Sequence, residues 1–310
     1  MLAVAWGTRR GVGDVTDAEF ETAIDGADGE YSATLSPHYV TPEVGGPFGG
    51  YLAALLLRTA GRQSTLTRPA SFHCLFLNAA SIDRVDLQVT TLRSSSRAEA
   101  LRVSMTQGGK PIADALAWLV GAPEGLDHGP VGVPSPPHPD SLRSFGELYR
   151  DYEPVGFAAC LDVRPEFTFA LDGWRPPGAP PWSMEELRAN ISPQAPVAAG
   201  WVRLRGQATF SDPFTDAGRA MVALDSFPIM AGQMPHLGTA AVFLPSLDFT
   251  VRFHEFAPNS EWLYCQAESP IANEGVLLTG GKVWSQDGKL IATGAQHTFQ
   301  RVMASPPARG

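Results

Sequence analysis

The sequence predicts an α+β fold made of two similar halves, each an antiparallel sheet wrapped around one central apolar helix. The residues from Tyr51 to Leu57 are apolar on every side, so a helix there must be buried. Segments typical of β-strands follow from Ser71 to Val120. A similar turn sequence then occurs near the end of each half. Strands wrapped around a buried helix form a hot-dog fold, so the repeat predicts a double hot-dog.

Composition excludes several classes of protein. The chain has 310 residues, of which 44% are apolar, enough for a large core. Its formal charge of −9 argues against a nucleic-acid partner, since phosphate binding depends on clustered Lys and Arg. The apolar helix is shorter than the ~20 residues that cross a bilayer, so we expect no membrane partner.

The cysteines and histidines give no indication of a metal site. Cys74, Cys160 and Cys265 are far apart and have no ligand spacing, which predicts a reduced, cytoplasmic protein. No two histidines have the spacing of a zinc motif. We therefore expect neither a metal nor a cofactor.

The first half is predicted to form one hot-dog, covering residues 1–120. A capping box at Thr16 to Glu19 predicts a short helix that ends near Ile24. The glycine-rich run from Gly45 to Gly50 leads into the central helix. The predicted strands are Glu30 to Leu35, Ser71 to Leu77, Arg84 to Leu92, Ala98 to Met105 and Pro111 to Val120.

A linker and a second hot-dog are predicted to follow. Residues 121–162 are rich in proline and glycine and are predicted to be a linker. Residues 163–304 form the predicted C-terminal hot-dog, with a helix from Arg219 to Ile229. Its strands are predicted at Arg164 to Leu171, Trp201 to Arg205, Ser246 to Phe256, Trp262 to Ala267, Leu277 to Ser285 and Leu290 to Arg301.

Two hairpins carry the evidence for duplication. Gln107 to Ala113 aligns with Gln286 to Ala292, an offset of 286 − 107 = 179. The same offset places Phe48 opposite Phe227 (48 + 179 = 227), which predicts that the helices are in register as well. Asp-Gly and Gly-Gly turns are common, so the hairpin alone has a simpler explanation. Hairpin and helix together favour internal duplication.

The offset also predicts where the chemistry lies. It places Gly46 opposite Asp225 and Ala117 opposite Gln296, so the second half has polar groups where the first has small ones. Asp225 lies on an apolar helix, where burial raises the pKa of a carboxyl toward that of a general base. Together with the hydroxyl of Ser246, these groups are suited to hold a water. Taken singly, each has a structural explanation as a cap or an exposed residue.

Several segments resemble the bacterial acyl-CoA thioesterase II family, the double hot-dog thioesterases, over most of the chain. The matching segments are Phe72 to Leu77, Gly109 to Ile112, Leu247 to His254, and Ser285 to Thr293 with its Gln-Asp-Gly turn. The resemblance implies hydrolysis of acyl-CoA in fatty acid metabolism, with Asp225, Ser246 and Gln296 holding the attacking water. It also implies a homo-oligomer, a dimer or tetramer of double hot-dogs.

The chain departs from the family at two places. Ser246 stands where the family has Thr, which keeps the hydroxyl and loses a methyl group. Asn273 to Val276 stands where the family has an arginine-containing segment, so a coenzyme A phosphate contact there is not expected.

Two other functions are compatible with the same fold. The first is a protein that binds or senses acyl thioesters without hydrolysing them. For either function, the acyl group can be carried by coenzyme A or by an acyl-carrier protein. The second, a dehydratase, ranks below it because no histidine falls at a matching helix position.

Overall fold

A computed structural model gives the fold of the chain. It describes residues 20, 22–42, 44–121, 125–149, 153–167, 180, 181, 183, 186, 191–237 and 242–302. The capping box predicted at Thr16 to Glu19 lies outside these residues, and residues 22–24 are not helical. Within the described residues, no helix is long and apolar enough to cross a membrane.

Two long helices form the centre of the molecule. Helix α1 (Gly49–Gln63) begins after Phe48 and buries every residue from Gly50 to Leu57, as the sequence predicts. A short helix, α2, spans Phe145–Leu148. Helix α3 (Pro213–Gln233) packs against α1. It begins six residues before the predicted Arg219, because the side chain of Asp212 caps it by accepting from Thr215 N at 2.7 Å.

Sixteen strands complete the described part of the chain. Those of the N-terminal half are β1 (Asp25–Ala27), β2 (Glu30–Thr34), β3 (Val40–Thr41), β4 (Gly46–Pro47), β5 (Arg68–Phe76), β6 (Arg84–Ser94), β7 (Ala98–Gln107) and β8 (Lys110–Val120). The others are β9 (Leu161–Pro165), β10 (Val197–Leu204), β11 (Val242–Phe243), β12 (Asp248–Phe253), β13 (Leu263–Asn273), β14 (Val276–Ser285), β15 (Leu290–Phe299) and β16 (Arg301–Val302).

The predicted α+β hot-dog class is confirmed, and the two predicted sheets are joined at their edges. Twelve strands form one antiparallel sheet in the order β1-β2-β6-β7-β8-β5-β12-β15-β14-β13-β10-β9. The junction is the pairing of β5 with β12, in which His73 lies opposite Thr250. The side chains of these two residues also form a hydrogen bond at 2.7 Å. Pairing at the junction satisfies the backbone groups of two strands that would otherwise be exposed edges.

The repeat is confirmed in the strands but not in the helices. Strands β6 and β13 are related by 263 − 84 = 179 residues, the predicted offset. The helices instead begin 213 − 49 = 164 residues apart, so the predicted match of Phe48 with Phe227 is wrong. Phe48 precedes α1, whereas Phe227 lies well inside α3. There are two reasons: α3 has 21 residues against 15 in α1, and the connection from α3 to β12 has 14 residues (248 − 233 − 1) against four after α1 (68 − 63 − 1).

Residues within the predicted linker pack against both halves. The indole of Trp201 on β10 donates to the carbonyl of Pro137 at 2.8 Å. Gly156, with φ of +58°, begins a 3-10 helix that ends at Cys160. A Cβ on Gly156 would lie 2.2 Å from the carbonyl oxygen of Val40, so this helix is closely packed on the N-terminal half.

Candidate active site

Asp225, Ser246 and Gln296 meet at the contact between α1 and α3. Asp225 lies on α3, Ser246 forms an isolated bridge with Thr298, and Gln296 lies on β15. The Ser246 hydroxyl is 3.2 Å from Asp225 Oδ1 and 3.0 Å from Gln296 Oε1. Gln296 Nε2 donates to the backbone carbonyl of Asp225 at 3.3 Å. The structure thus brings all three predicted residues into one hydrogen-bonded group, with the Ser246 hydroxyl between the side chains of the other two.

The carboxyl group of Asp225 is almost fully removed from solvent. Its residue is 1% exposed, among apolar neighbours on α3. Burial raises the pKa of Asp225 to about 6, and hydrogen bonds from Gly50 and Ser246 limit the rise. At pH 7 the group is therefore mostly ionised and still basic enough to accept a proton.

The sequence did not predict the strongest contact to this carboxylate. Gly50 N donates to Asp225 Oδ2 at 2.5 Å. The N–H groups of the first helical turn have no acceptor within the helix and carry partial positive charge, so they favour an anion. A Cβ on Gly50 would lie 2.8 Å from the Phe48 ring and 3.0 Å from Asp225 Cβ. The available signal was the glycine-rich run from Gly45 to Gly50.

The hydroxyl of Ser246 cannot satisfy both of its neighbours. Asp225 Oδ1 and Gln296 Oε1 are both acceptors, and the hydroxyl has one proton to donate. One N–H of the Gln296 amide faces the Asp225 backbone carbonyl, and carboxylate and amide oxygens each accept more than one hydrogen bond, so acceptor positions remain for another donor. A water molecule can supply that donor.

A large cavity opens beside these groups. Its volume is about 790 Å³, and Asp225 and Ser246 line it while Gln296 lies behind them. Phe48 and Phe157 stack with ring centroids 4.0 Å apart, so the 3-10 helix at Gly156 to Cys160 forms part of the wall. Most of the remaining lining is apolar, including Leu52, Phe76, Ile229, Met230, Leu244 and Phe299. The space is suited to an apolar chain that ends at a polar group.

The equivalent position in the other half lacks this chemistry. With the helix offset of 164, the counterpart of Asp225 is Gly61 (225 − 164 = 61), so the predicted counterpart Gly46 is wrong. The counterpart of Gly50 is Phe214 (50 + 164 = 214). A Cβ on Gly61 would lie 2.5 to 2.7 Å from the Phe214 ring, so the two residues are in close contact. The pair Asp225 and Gly50 is thus replaced by Gly61 and a phenyl ring.

Acidic, histidine and cysteine side chains form no metal-binding group among the described residues. Across the part of the chain that the structure describes, no three of them are grouped so as to hold an ion. Cys74, Cys160 and Cys265 are buried and free.

Comparisons with known proteins identify relatives of both halves. Residues 38–120 match the acyl-CoA thioesterase N-terminal domain and residues 134–299 match the acyl-CoA thioesterase C-terminal domain. Human acyl-coenzyme A thioesterase 8 is 28% identical over 267 residues, covering 82% of this chain and 80% of the relative. The mouse protein of the same name is 26% identical, with coverage of 86% and 83%.

Solved structures show the same fold at low sequence identity. The acyl-CoA thioesterase II TesB2 of Mycobacterium marinum has a TM-score of 0.69 at 23% identity, covering 91% of this chain and 97% of that one. A conserved hot-dog protein of Alicyclobacillus acidocaldarius has a TM-score of 0.71 at 20% identity, with coverage of 94% and 100%.

Proposed function

The chain belongs to the acyl-CoA thioesterase family and is a thioester hydrolase, and we propose that Asp225, Ser246 and Gln296 hold the water that attacks the acyl-CoA thioester. The observation that carries this proposal is a buried carboxylate with an adjacent hydroxyl and amide, facing a cavity whose lining is mostly apolar.

Asp225 acts as the general base. Gly50 N–H occupies Oδ2, which leaves Oδ1 beside Ser246 to accept a proton from the water. Ser246 orients that water from the cavity wall. Gln296 does not line the cavity, so it helps to hold the water indirectly: its Oε1 lies 3.0 Å from the Ser246 hydroxyl and its Nε2 donates to the Asp225 carbonyl, which positions both residues.

Bond making and breaking then follow from this arrangement. The water oxygen bonds to the thioester carbon as its proton moves to Asp225, and the carbonyl oxygen becomes negative. Gly49, the first residue of α1, borders the cavity, and its N–H group together with the positive end of the helix stabilises this charge. The C–S bond then breaks, and the proton on Asp225 returns to the sulfur. The products are a free acid and coenzyme A.

A thiol-release assay over a series of acyl-CoA lengths tests the assignment. Asp225→Asn keeps the size of the side chain and removes the base, so turnover falls by about 10² or more. Asp86→Asn, on the exposed face of β6, is the matched control and keeps the wild-type rate. If Asp225→Asn retained most of the activity, Asp225 would not be the base.

The cellular setting is a further part of the proposal. We place the protein in the cytoplasm, since its described cysteines are free thiols. We also propose that double hot-dogs associate as a homo-oligomer, a dimer or tetramer. Sedimentation of the purified chain tests the assembly.

A further inference from the structure

The cavity beside Asp225 is lined by four charged residues among those described: Asp162, Arg205, Asp225 and Arg301. The two carboxylates have partners. Asp162 pairs with Arg203 at 3.2 Å and with Arg164 at 3.7 Å. Asp225 is held by Gly50 and Ser246. Within the described residues, neither Arg205 nor Arg301 has a carboxylate partner. Two positive charges without a carboxylate partner among the described residues thus border a cavity in a chain of net charge −9.

We propose that Arg205 and Arg301 bind the diphosphate of the coenzyme A part of the substrate. This inference rests on the proposed function, because it assumes that the thioester lies at Asp225. The proposal gives the coenzyme A phosphates a binding site in a chain whose segment Asn273 to Val276 lacks the arginine found there in the family.

Arg205 is oriented by the segment that forms one wall of the cavity. Its Nε donates to the carbonyl of Leu161 at 2.9 Å, and its backbone N–H donates to the carbonyl of Cys160 at 2.8 Å. Among the described residues, these contacts leave both terminal nitrogens of the guanidinium for a ligand, the geometry suited to phosphate oxygens. Leu161 lies only four residues after Phe157 (161 − 157 = 4), whose ring stacks on Phe48 at the start of α1.

Arg301 lines the cavity from the strand pair of β11 and β16. It lies opposite Phe243 in the pairing of β16 with β11. Ser246 is bridged to Thr298, three residues before Arg301 (301 − 298 = 3), a separation of about 10 Å along an extended chain. The long arginine side chain adds several ångströms to that reach.

This separation is close to the length of the pantetheine arm. About thirteen bonds join the sulfur of coenzyme A to its nearer phosphorus, equal to roughly four residues of extended chain or about 15 Å. A thioester at Asp225 therefore places the diphosphate near Arg301, and Arg205 lines the same cavity, while the acyl chain occupies its apolar part.

Three matched substrates test the assignment: an acyl-CoA, the acyl-dephospho-CoA without the 3′-phosphate, and the acyl-pantetheine without the nucleotide. All three carry the acyl group that the wild type hydrolyses fastest. Arg301→Ala and Arg205→Ala each raise KM about tenfold for the first two substrates and leave acyl-pantetheine unchanged, with kcat preserved. Arg252→Ala, an exposed arginine on β12 outside the cavity lining, has no effect.

Each outcome of this experiment is decisive. An equal rise of KM for acyl-pantetheine would overturn the proposal. A rise of KM for acyl-CoA that is absent for acyl-dephospho-CoA would also overturn it, because the arginines would then bind the 3′-phosphate. Arg205→Ala also removes the bond to Leu161, so Arg205→Lys and thermal unfolding separate a folding defect from lost binding. Arg301→Ala removes no side-chain bond to the described residues.

A second readout keeps this proposal separate from the assignment of Asp225. Calorimetric binding of free coenzyme A, which has no thioester to hydrolyse, weakens about tenfold in Arg301→Ala and is unchanged in Asp225→Asn. Full turnover by Asp225→Asn would end the catalytic assignment without altering this result. Equal binding of coenzyme A by wild type and Arg301→Ala would end the arginine assignment alone.

Discussion

Replacing Asp225 by Asn is expected to stabilise the protein near neutral pH while it removes the base. Burial raises the pKa of Asp225 to about 6 from its ordinary value of 3.8. The folded protein therefore holds this proton more tightly than the unfolded chain, and ionisation at higher pH costs stability. At roughly 1.36 kcal/mol per pH unit, the cost approaches about 3 kcal/mol above pH 7 and vanishes below pH 4.

Asparagine avoids that cost and keeps the main contacts. Its carbonyl oxygen can accept from Gly50 N–H, and its amide can donate to the Ser246 hydroxyl. Urea unfolding of both proteins from pH 4 to pH 8 measures the difference. The free energy of unfolding of Asp225→Asn should exceed that of the wild type by an amount that grows between pH 4 and 6 and then levels off.

Asp216 supplies a matched control on the same helix. It is 3% exposed, and its Oδ1 lies 2.5 Å from Arg219 Nη2. Asp216→Asn leaves that guanidinium buried without its counter-charge, so this variant should lose about 3 to 5 kcal/mol at neutral pH. The reasoning about Asp225 is refuted if Asp225→Asn is less stable than the wild type at pH 8, or if the difference does not depend on pH.

Three further outcomes follow from the site. The value of kcat/KM should fall tenfold per pH unit below about pH 6 as Asp225 takes up its proton, and a flat pH profile would contradict this. Ser246→Ala should lower kcat by about 10-fold or more, whereas Ser246→Thr keeps the hydroxyl and should retain activity. Equal kcat values for Ser246→Ala and the wild type would exclude Ser246 from the reaction. Gly50→Ala should lower both turnover and the free energy of unfolding, the latter by about 1 to 3 kcal/mol, since its Cβ meets Phe48 and Asp225. Gly125→Ala, in open space, is the control for Gly50→Ala, and similar losses in both would contradict the packing argument.

Local patterns in the sequence predicted the sheet and the residues of the site. Alternation and turn residues located β5 to β8. Adding the offset of 179 to the bounds of β6 gives the bounds of β13. The polar residues of the second half identified Asp225, Ser246 and Gln296 as candidates, and the structure brings them together.

Other features depend on properties that residue identity does not carry. The match of Phe48 with Phe227 failed because packing sets the lengths of helices and connections. Helix α3 and its connection to β12 are both longer than α1 and its connection to β5. The contact of Gly50 with Asp225 involves a backbone N–H, which every residue except proline has. The proline-rich stretch gave no sign that Phe157 would stack on Phe48, because that contact joins residues far apart in sequence.

The contact between Gly61 and Phe214 shows what joining two hot-dogs in one chain permits. In a symmetric pair of identical subunits, any substitution at one helix terminus appears at both, so neither copy can change without the other. Here the two ends have diverged: one keeps the polar groups, and the other is filled with an aromatic ring that contributes to packing. A single chain should therefore have one reaction centre, and titration with a non-hydrolysable acyl-CoA analogue should reach saturation at one bound ligand per polypeptide.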